Sequence, residues 1–226
     1  MNRIVFFRIG WMKNYAGYSK GDTISGGGSW PDKGEVFNFA VFKNNYYGYV
    51  QPPSNASGIN LPRIDPSATG EKLNDVTVVW IANRPGGGSF IVGWYQNATV
   101  HATQRPAASG SERNYGTGNI GYFAKASVLD CKLLDDDERT FEIPRGKGYP
   151  GRSNTFYQDK NPAFAAKVLR YIESGGVIKK TIRSGRPRQP DILKRIAVEK
   201  AAIETVGAHY VGLGYTITSV ERDNIG

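Results

Sequence analysis

Breaker clusters punctuate the first 150 residues: Gly26-Gly27-Gly28, Gln51-Pro52-Pro53-Ser54-Asn55 and Arg84-Pro85-Gly86-Gly87-Gly88. Clusters of this kind impose turns, so the chain between them is left to short elements. Ile4–Ile9, Val36–Phe42, Tyr46–Val50, Val76–Ile81, Phe90–Trp94 and Tyr122–Leu129 are each rich in β-branched or aromatic residues, as strands are. The spacing predicts a small barrel or a strongly bent sheet, which leaves few free edges.

Helical signals begin only after residue 160. Asn161-Pro162 reads as an N-cap with proline at the first helical position; Phe164, Val168 and Ile172 recur every four residues, and Gly175-Gly176 ends the pattern. A basic, breaker-containing linker follows from Val177 to Pro190. Asp191 caps a second helix with Ile192, Ile196, Ile203, Val206 and Tyr210 on one face; Gly212 and Gly214 end it, and Tyr215–Val220 alternates like a strand. The class is therefore α+β, with boundaries at 1–160, 161–190 and 191–226. A single terminal strand leaves both of its edges unpaired, so the expectation is that 191–226 opens a longer domain.

The 226 residues suffice for two small domains that fold without disulfides. Cys131 is the sole cysteine, so no internal disulfide forms, and with His101 and His209 it cannot make a Cys/His zinc site. The longest apolar run near the N-terminus, between Arg3 and Arg8, is too short for a signal-peptide core or a span, so the expected setting is the cytoplasm, without membrane contact. The formal charge of +9 favours a polyanionic partner. Residues 1–150 carry 16 basic and 13 acidic residues, and 151–226 carry 13 and 7, so the excess is concentrated late.

Aromatic residues cluster beside glycine and asparagine: Trp11, Tyr15, Tyr18, Trp30, Tyr46, Tyr47, Tyr49, Trp94 and Tyr95. Most are expected in the core, because rings supply the largest buried area of a small β-domain. A minority beside loops would offer flat faces for an unstacked base, at about 1–3 kcal/mol per base, with neighbouring asparagines reading its edge. The segments Ile9–Tyr15, Gly26–Trp30, Phe37-Asn38-Phe39, Tyr47–Val50 and Ile91–Val100 resemble the PUA-superfamily reader domains, in the manner of EVE, YTH and SRA domains. The resemblance covers roughly residues 1–160. It implies a bent β-barrel that captures a modified or flipped base, with Trp11, Tyr15, Trp30, Asn38, Tyr47, Trp94, Tyr95 and Asn97 as candidate cage residues.

Arg145–Asn154 is a basic glycine-rich loop suited to phosphate, and it is not a P-loop. Arg145, Lys147 and Arg152 are its candidate phosphate contacts, joined by Lys179, Lys180 and Arg183 of the basic run; ordinary solvated segments remain the alternative for both. Asp135–Glu138 matches no calcium-loop spacing, and no metal is assigned there. His101 lacks a nucleophile or carboxylate at motif spacing and reads as structural.

Ile196–Glu204, Tyr210–Tyr215 and Ser219–Gly226 resemble the opening of the NO VEIN C-terminal domain, a relative of Mrr-type nuclease folds. That resemblance implies metal-dependent phosphodiester hydrolysis, with Glu199 matching the helix glutamate. The expected following aspartate is absent, and no Glu-x-Lys occurs; Gln158-Asp159-Lys160 lies upstream. No complete catalytic site or cofactor is therefore assigned to this chain, although a longer protein would use Mg2+ and carry a further nuclease or ATPase domain. The expected function is a reader of modified cytosine in DNA, as the specificity module of a modification-dependent restriction or defence protein. Its rivals are an RNA-base reader of the same fold and an interaction module with an aromatic peptide groove.

Overall fold

The computed structural model describes residues 3–26, 34–52, 58–115, 118–177 and 192–217. The chain divides into two compact units, Met1–Ile178 and Lys179–Gly226.

The first unit is built on a seven-stranded mixed sheet. Its strands are β1 (Ile4–Ile9), β2 (Asn45–Gly48), β3 (Lys72–Asn83), β4 (Ser89–Arg105), β7 (Tyr122–Ser127), β8 (Cys131–Leu133) and β9 (Thr155–Tyr157); β5 (Asn114–Tyr115) and β6 (Gly118–Asn119) form a separate small ribbon. The order is β2-β7-β4-β3-β1-β9. β1 runs parallel to β3, Ile4 opposite Thr77 through Ile9 opposite Ala82, and the other pairs are antiparallel. A parallel pair needs a long crossover, which is the work of residues 10–71. The 17-residue strand β4 carries two neighbours on one edge: β8 pairs its first half, at Gly93–Tyr95, and β7 its second, at Thr99–Arg105.

The sheet is open. Among the described residues β2 and β9 are edge strands that do not pair with each other, so the α+β class is as expected while closure of the sheet into a barrel is not shown. A strand edge that is short offers little template for unwanted pairing, and these two are four and three residues long.

Both faces are buried over the middle of the sheet, as strand alternation requires. Val5, Phe7, Val78, Trp80 and Tyr95 face a core completed by Met12, Tyr15, Val36, Phe39 and Ile64 from the crossover. Ile4, Phe6, Val79, Ile81, Ile91 and Trp94 face a second core under α1 (Pro162–Glu173), with Phe164, Val168, Tyr171 and Ile172. The Asn161 side chain caps α1, accepting from the Phe164 amide at 3.0 Å. Gly175 and Gly176, both at positive φ, end it. The helix thus belongs to the first unit.

Val36–Phe42, read as a strand, is instead a 3-10 turn over Gly34–Phe37 followed by a further turn. Asn38 explains the change. Its buried amide donates to the Tyr49 carbonyl at 2.9 Å and accepts from the Tyr49 N–H at 2.7 Å, a side-chain substitute for a strand pair.

The second unit contains α2 (Ile192–Gly212), ended by a turn in which the Tyr215 amide donates to the Tyr210 carbonyl at 3.1 Å. Tyr215–Ile217 is not a strand, and 218–220 of the expected terminal strand lie outside the described residues. Ile203, Val206 and Tyr210, from the face read as apolar, are about half exposed. No helix among the described residues is long and apolar enough to cross a membrane.

Candidate nucleic-acid interface

At the carboxyl ends of the parallel strands β1 and β3, two cavities share a wall. The deeper, about 290 Å3, is lined by Arg8, Gly10, Ser25, Glu35, Gln51, Asn83 and Asn154, among others. The wider, about 620 Å3, lies between the Arg84–Ser89 turn and the Ile143–Arg152 loop, and collects Arg84, Arg145 and Arg152. Arg8 and Asn83 line both.

Backbone chemistry shapes this cleft. Gly86, Gly87 and Gly88 all hold positive φ, which glycine adopts without the cost that a side chain brings, and the Arg84 amide closes the turn onto the Gly88 carbonyl at 3.0 Å. Arg84 sits between polar and aromatic neighbours: its guanidinium is 4.0 Å from the Phe90 ring centroid and 5.3 Å from that of Trp11, and it donates to the Arg139 carbonyl at 2.7 Å. On the wall of both cavities, Arg8 donates to the Asn83 Oδ1 at 2.6 Å and to the Pro150 carbonyl at 3.3 Å. Its Nε is buried without a hydrogen-bond partner among the described residues, and burial holds its pKa below the ordinary arginine value. Among the described residues none of Arg8, Arg84, Arg145 and Arg152 forms an ion pair. Four arginines that carry no ion pair among the described residues, against the single carboxylate Glu35 in the linings, favour a positive potential around this concavity.

The loop read as a phosphate contact supplies part of this lining. Arg145 and Arg152 line the cleft; Lys147 is exposed on the same loop and outside the lining. Lys179, Lys180 and Arg183 lie outside the described residues, as does Trp30.

The other candidate cage residues do not converge. Trp94 and Tyr95 are adjacent in β4 and point to opposite faces: Trp94 packs against Tyr171 of α1, whereas Tyr95 packs against Trp80 and donates to the Asn38 carbonyl. Tyr15 is fully buried, donating to the Gly10 carbonyl at 2.7 Å and accepting from the Met12 amide, and burial drives its pKa far up. Asn38 is occupied by Tyr49, as described above. Tyr47 is buried against Tyr122, and exposed Asn97 donates to Asp130 at 3.0 Å. Trp11 is the described candidate nearest the cleft, half-buried with Arg84 and Arg139 at its ring, while its neighbour Gly10 lines the deeper cavity.

Two buried arginines hold the surroundings together. Arg139 donates to the carbonyls of Leu134 at 3.0 Å, Met12 at 2.8 Å and Lys13 at 2.7 Å, and pairs with Asp136. Arg113 donates to Ile120, Phe37 and Gly121 carbonyls, and burial holds its pKa down to about 10. The acidic run is likewise engaged, Glu138 with Lys132 at 3.2 Å and Asp136 with Arg139. Among the described residues no group of three or more His, Cys, Asp or Glu side chains is placed to hold a metal ion. Glu199 lies within α2, and its side chain is outside what the structure describes.

Arg8, Gln51, Asn83, Arg84 and Asn154 were not among the expected site residues, yet two of them carry a signal. Arg8 is the one charge within an otherwise apolar strand, and Arg84 opens the glycine-rich turn. Compared with protein-family models, curated proteins and solved structures, the chain shows no match to any of them.

Proposed function

We propose that the first unit is a nucleic-acid reader that accepts one extruded base in the deeper cavity and the flanking phosphates in the arginine cleft. The observation that supports this reading is Arg8, a partly buried cation without a carboxylate partner among the described residues, on the wall shared by the two cavities. Phosphates are the ordinary partners of such guanidinium groups, and the amides of Asn83, Asn154 and Gln51 match base edges by type. The polar lining distinguishes this pocket from an aromatic cage: hydrogen bonding, with Trp11 beside the rim, reads the base. The substrate proposed is a modified cytosine in duplex DNA, and the unit serves as the specificity module of a modification-dependent restriction or defence protein.

The test is fluorescence anisotropy with matched duplexes carrying unmodified, 5-methyl, 5-hydroxymethyl or glucosylated cytosine at two salt concentrations, with an RNA strand as control. One modified duplex is expected to bind best. Replacing Arg84, Arg145 and Arg152 together by glutamine should weaken binding to all duplexes and flatten the logarithmic salt dependence by about 0.9 per lost phosphate contact. Equal binding to every duplex removes the modified-base reading. Binding indifferent to salt removes the nucleic-acid reading and favours the peptide groove.

A further inference from the structure

α1 covers one face of the sheet only over β1, β3 and the first half of β4. On the same face, the second half of β4 with β7 and β2 carries no helix among the described residues and a different set of side chains. Cross-strand partners share a face, so the registers Tyr47–Lys125, Lys125–Thr99 and His101–Lys72 place these residues side by side. The Thr99 hydroxyl, 3.0 Å from the Asn74 Oδ1, bonds across the same rows. Tyr122 joins them: its ring lies 4.9 Å from that of Tyr47 and 5.8 Å from that of His101, and its strand partner is Arg105. The opposite side of these rows, Leu73, Ala98, Val100, Ala124 and Ala126, enters the core. The outward side is therefore a surface on which rings and cations surround the Thr99–Asn74 pair.

We propose that this surface, Lys72, His101, Arg105, Tyr122 and Lys125, binds a single-stranded polynucleotide, independently of the arginine cleft. Three features select that partner. Lys72, Arg105 and Lys125 form no ion pair among the described residues, which leaves their charge free for phosphates. Burial, followed by the charges of Arg105, Lys72 and Lys125, holds the His101 pKa below the usual histidine value, so these three cations act on its ring. Half-buried Tyr122 and His101 stand among the cations, the combination on which unstacked bases settle, whereas a duplex keeps its bases stacked inside. The surface starts at Lys72, at the opposite end of β3 from Asn83 in the cleft, roughly 35 Å away at about 3.3 Å per residue. Neither site needs the other to be formed.

The test uses the whole chain and a short oligo-dT at low salt, read by anisotropy and by the NMR titration of His101. Oligo-dT is expected to bind and to raise the His101 pKa, because phosphates offset the neighbouring cations. The triple variant Lys72→Gln, Arg105→Gln, Lys125→Gln should lose at least tenfold in affinity and about two units of logarithmic salt slope, at about 0.7 per contact. Tyr122→Leu keeps the charges and removes the stacking ring, and should lose roughly fivefold or more. The cleft variant of Arg84, Arg145 and Arg152 should keep its oligo-dT affinity. The proposal is overturned if the triple variant binds within twofold of the parent, if His101 titrates identically with and without oligo-dT, or if polyglutamate binds as tightly as oligo-dT. Its failure would leave duplex binding by the cleft intact, and failure of the modified-duplex test would leave oligo-dT binding intact.

Discussion

Replacing Arg139 by methionine should remove a large part of the first unit's stability. The side chain is fully buried, and its guanidinium satisfies three backbone carbonyls at 2.7–3.0 Å, those of Leu134, Met12 and Lys13. Hydrogen bonds from a charged donor contribute about 1.5–3 kcal/mol each, and carbonyls left buried without a donor cost a similar amount. Against this, methionine fills much of the volume and relieves the desolvation of a buried charge, which returns several kcal/mol. The expected net loss is about 3–5 kcal/mol, in a unit whose whole stability should be on the order of 5–15 kcal/mol. Arg113→Met supplies the comparison. Arg113 is as deeply buried, but two of its three bonds, at 3.3 and 3.5 Å, are long, so it should lose less. Urea unfolding followed by tryptophan fluorescence reads both, and the emission of Trp11 should shift as well, because the Arg139 guanidinium lies 4.7 Å from its ring. A loss under about 1 kcal/mol for Arg139→Met, or a larger loss for Arg113→Met, would refute the assignment of Arg139 as the clamp joining the Met12 loop to the strand end at Leu134.

Gly48→Ala should destabilise by about 2 kcal/mol or more, since its Cβ would collide with the Trp80 ring and crowd Tyr95; thermal unfolding reads it. Asn161→Ala removes the cap of α1 and should cost about 1 kcal/mol in the same assay. Asp65 accepts from the Ser67 amide and hydroxyl and from Arg3, which hold its pKa at about 2, below the ordinary 3.8. The folded state therefore binds its proton less readily than the unfolded chain, and the stability that Asp65 contributes is present above pH 4 and lost as the pH falls toward 2. Acid titration of stability in Asp65→Asn should be flatter than in the parent over that window.

The strands that read clearly in the sequence are those with two buried faces, because β1, β3 and the first half of β4 are runs of β-branched and aromatic residues with few polar interruptions. The first helix was equally legible from Asn161-Pro162 and the four-residue apolar spacing. Residues 36–42 were not, since their fate is decided by Asn38 reaching Tyr49, eleven residues away, and composition records nothing of that bond. Open sheet rather than barrel was hidden for the same kind of reason: it depends on which strands become edges. The cleft was half legible. Arg145 and Arg152 announce themselves in a glycine-rich loop, while Arg8 and Asn83 matter only because parallel pairing of β1 with β3 brings their ends together.

The fate of the aromatic residues follows from one strand. Alternation sends Trp94 and Tyr95 to opposite sides of β4, so two rings adjacent in sequence cannot line one pocket. A bulge then interrupts the β3 register between Val78–Tyr95 and Val76–Ala98, with Asn97 at a φ of 49°. The extra residue shifts the alternation, so Ala98 and Val100 enter the same core as Tyr95 while Thr99 and His101 turn outward. An unbroken alternation through Asn97 would turn His101 toward the core, and a second irregularity, between Leu73 and Val76 of β3 with Asp75 at a φ of 56°, likewise keeps Lys72 out of the core, where unpaired charge is costly. Placement of the ring-and-cation surface is thus a consequence of two bulges: deleting Asn97 should straighten β4 yet keep Thr99 and His101 outward, whereas inserting one residue between Asn97 and Ala98, with the bulge kept, should turn them inward and lose the His101 neighbourhood together with the stability of the second half of β4.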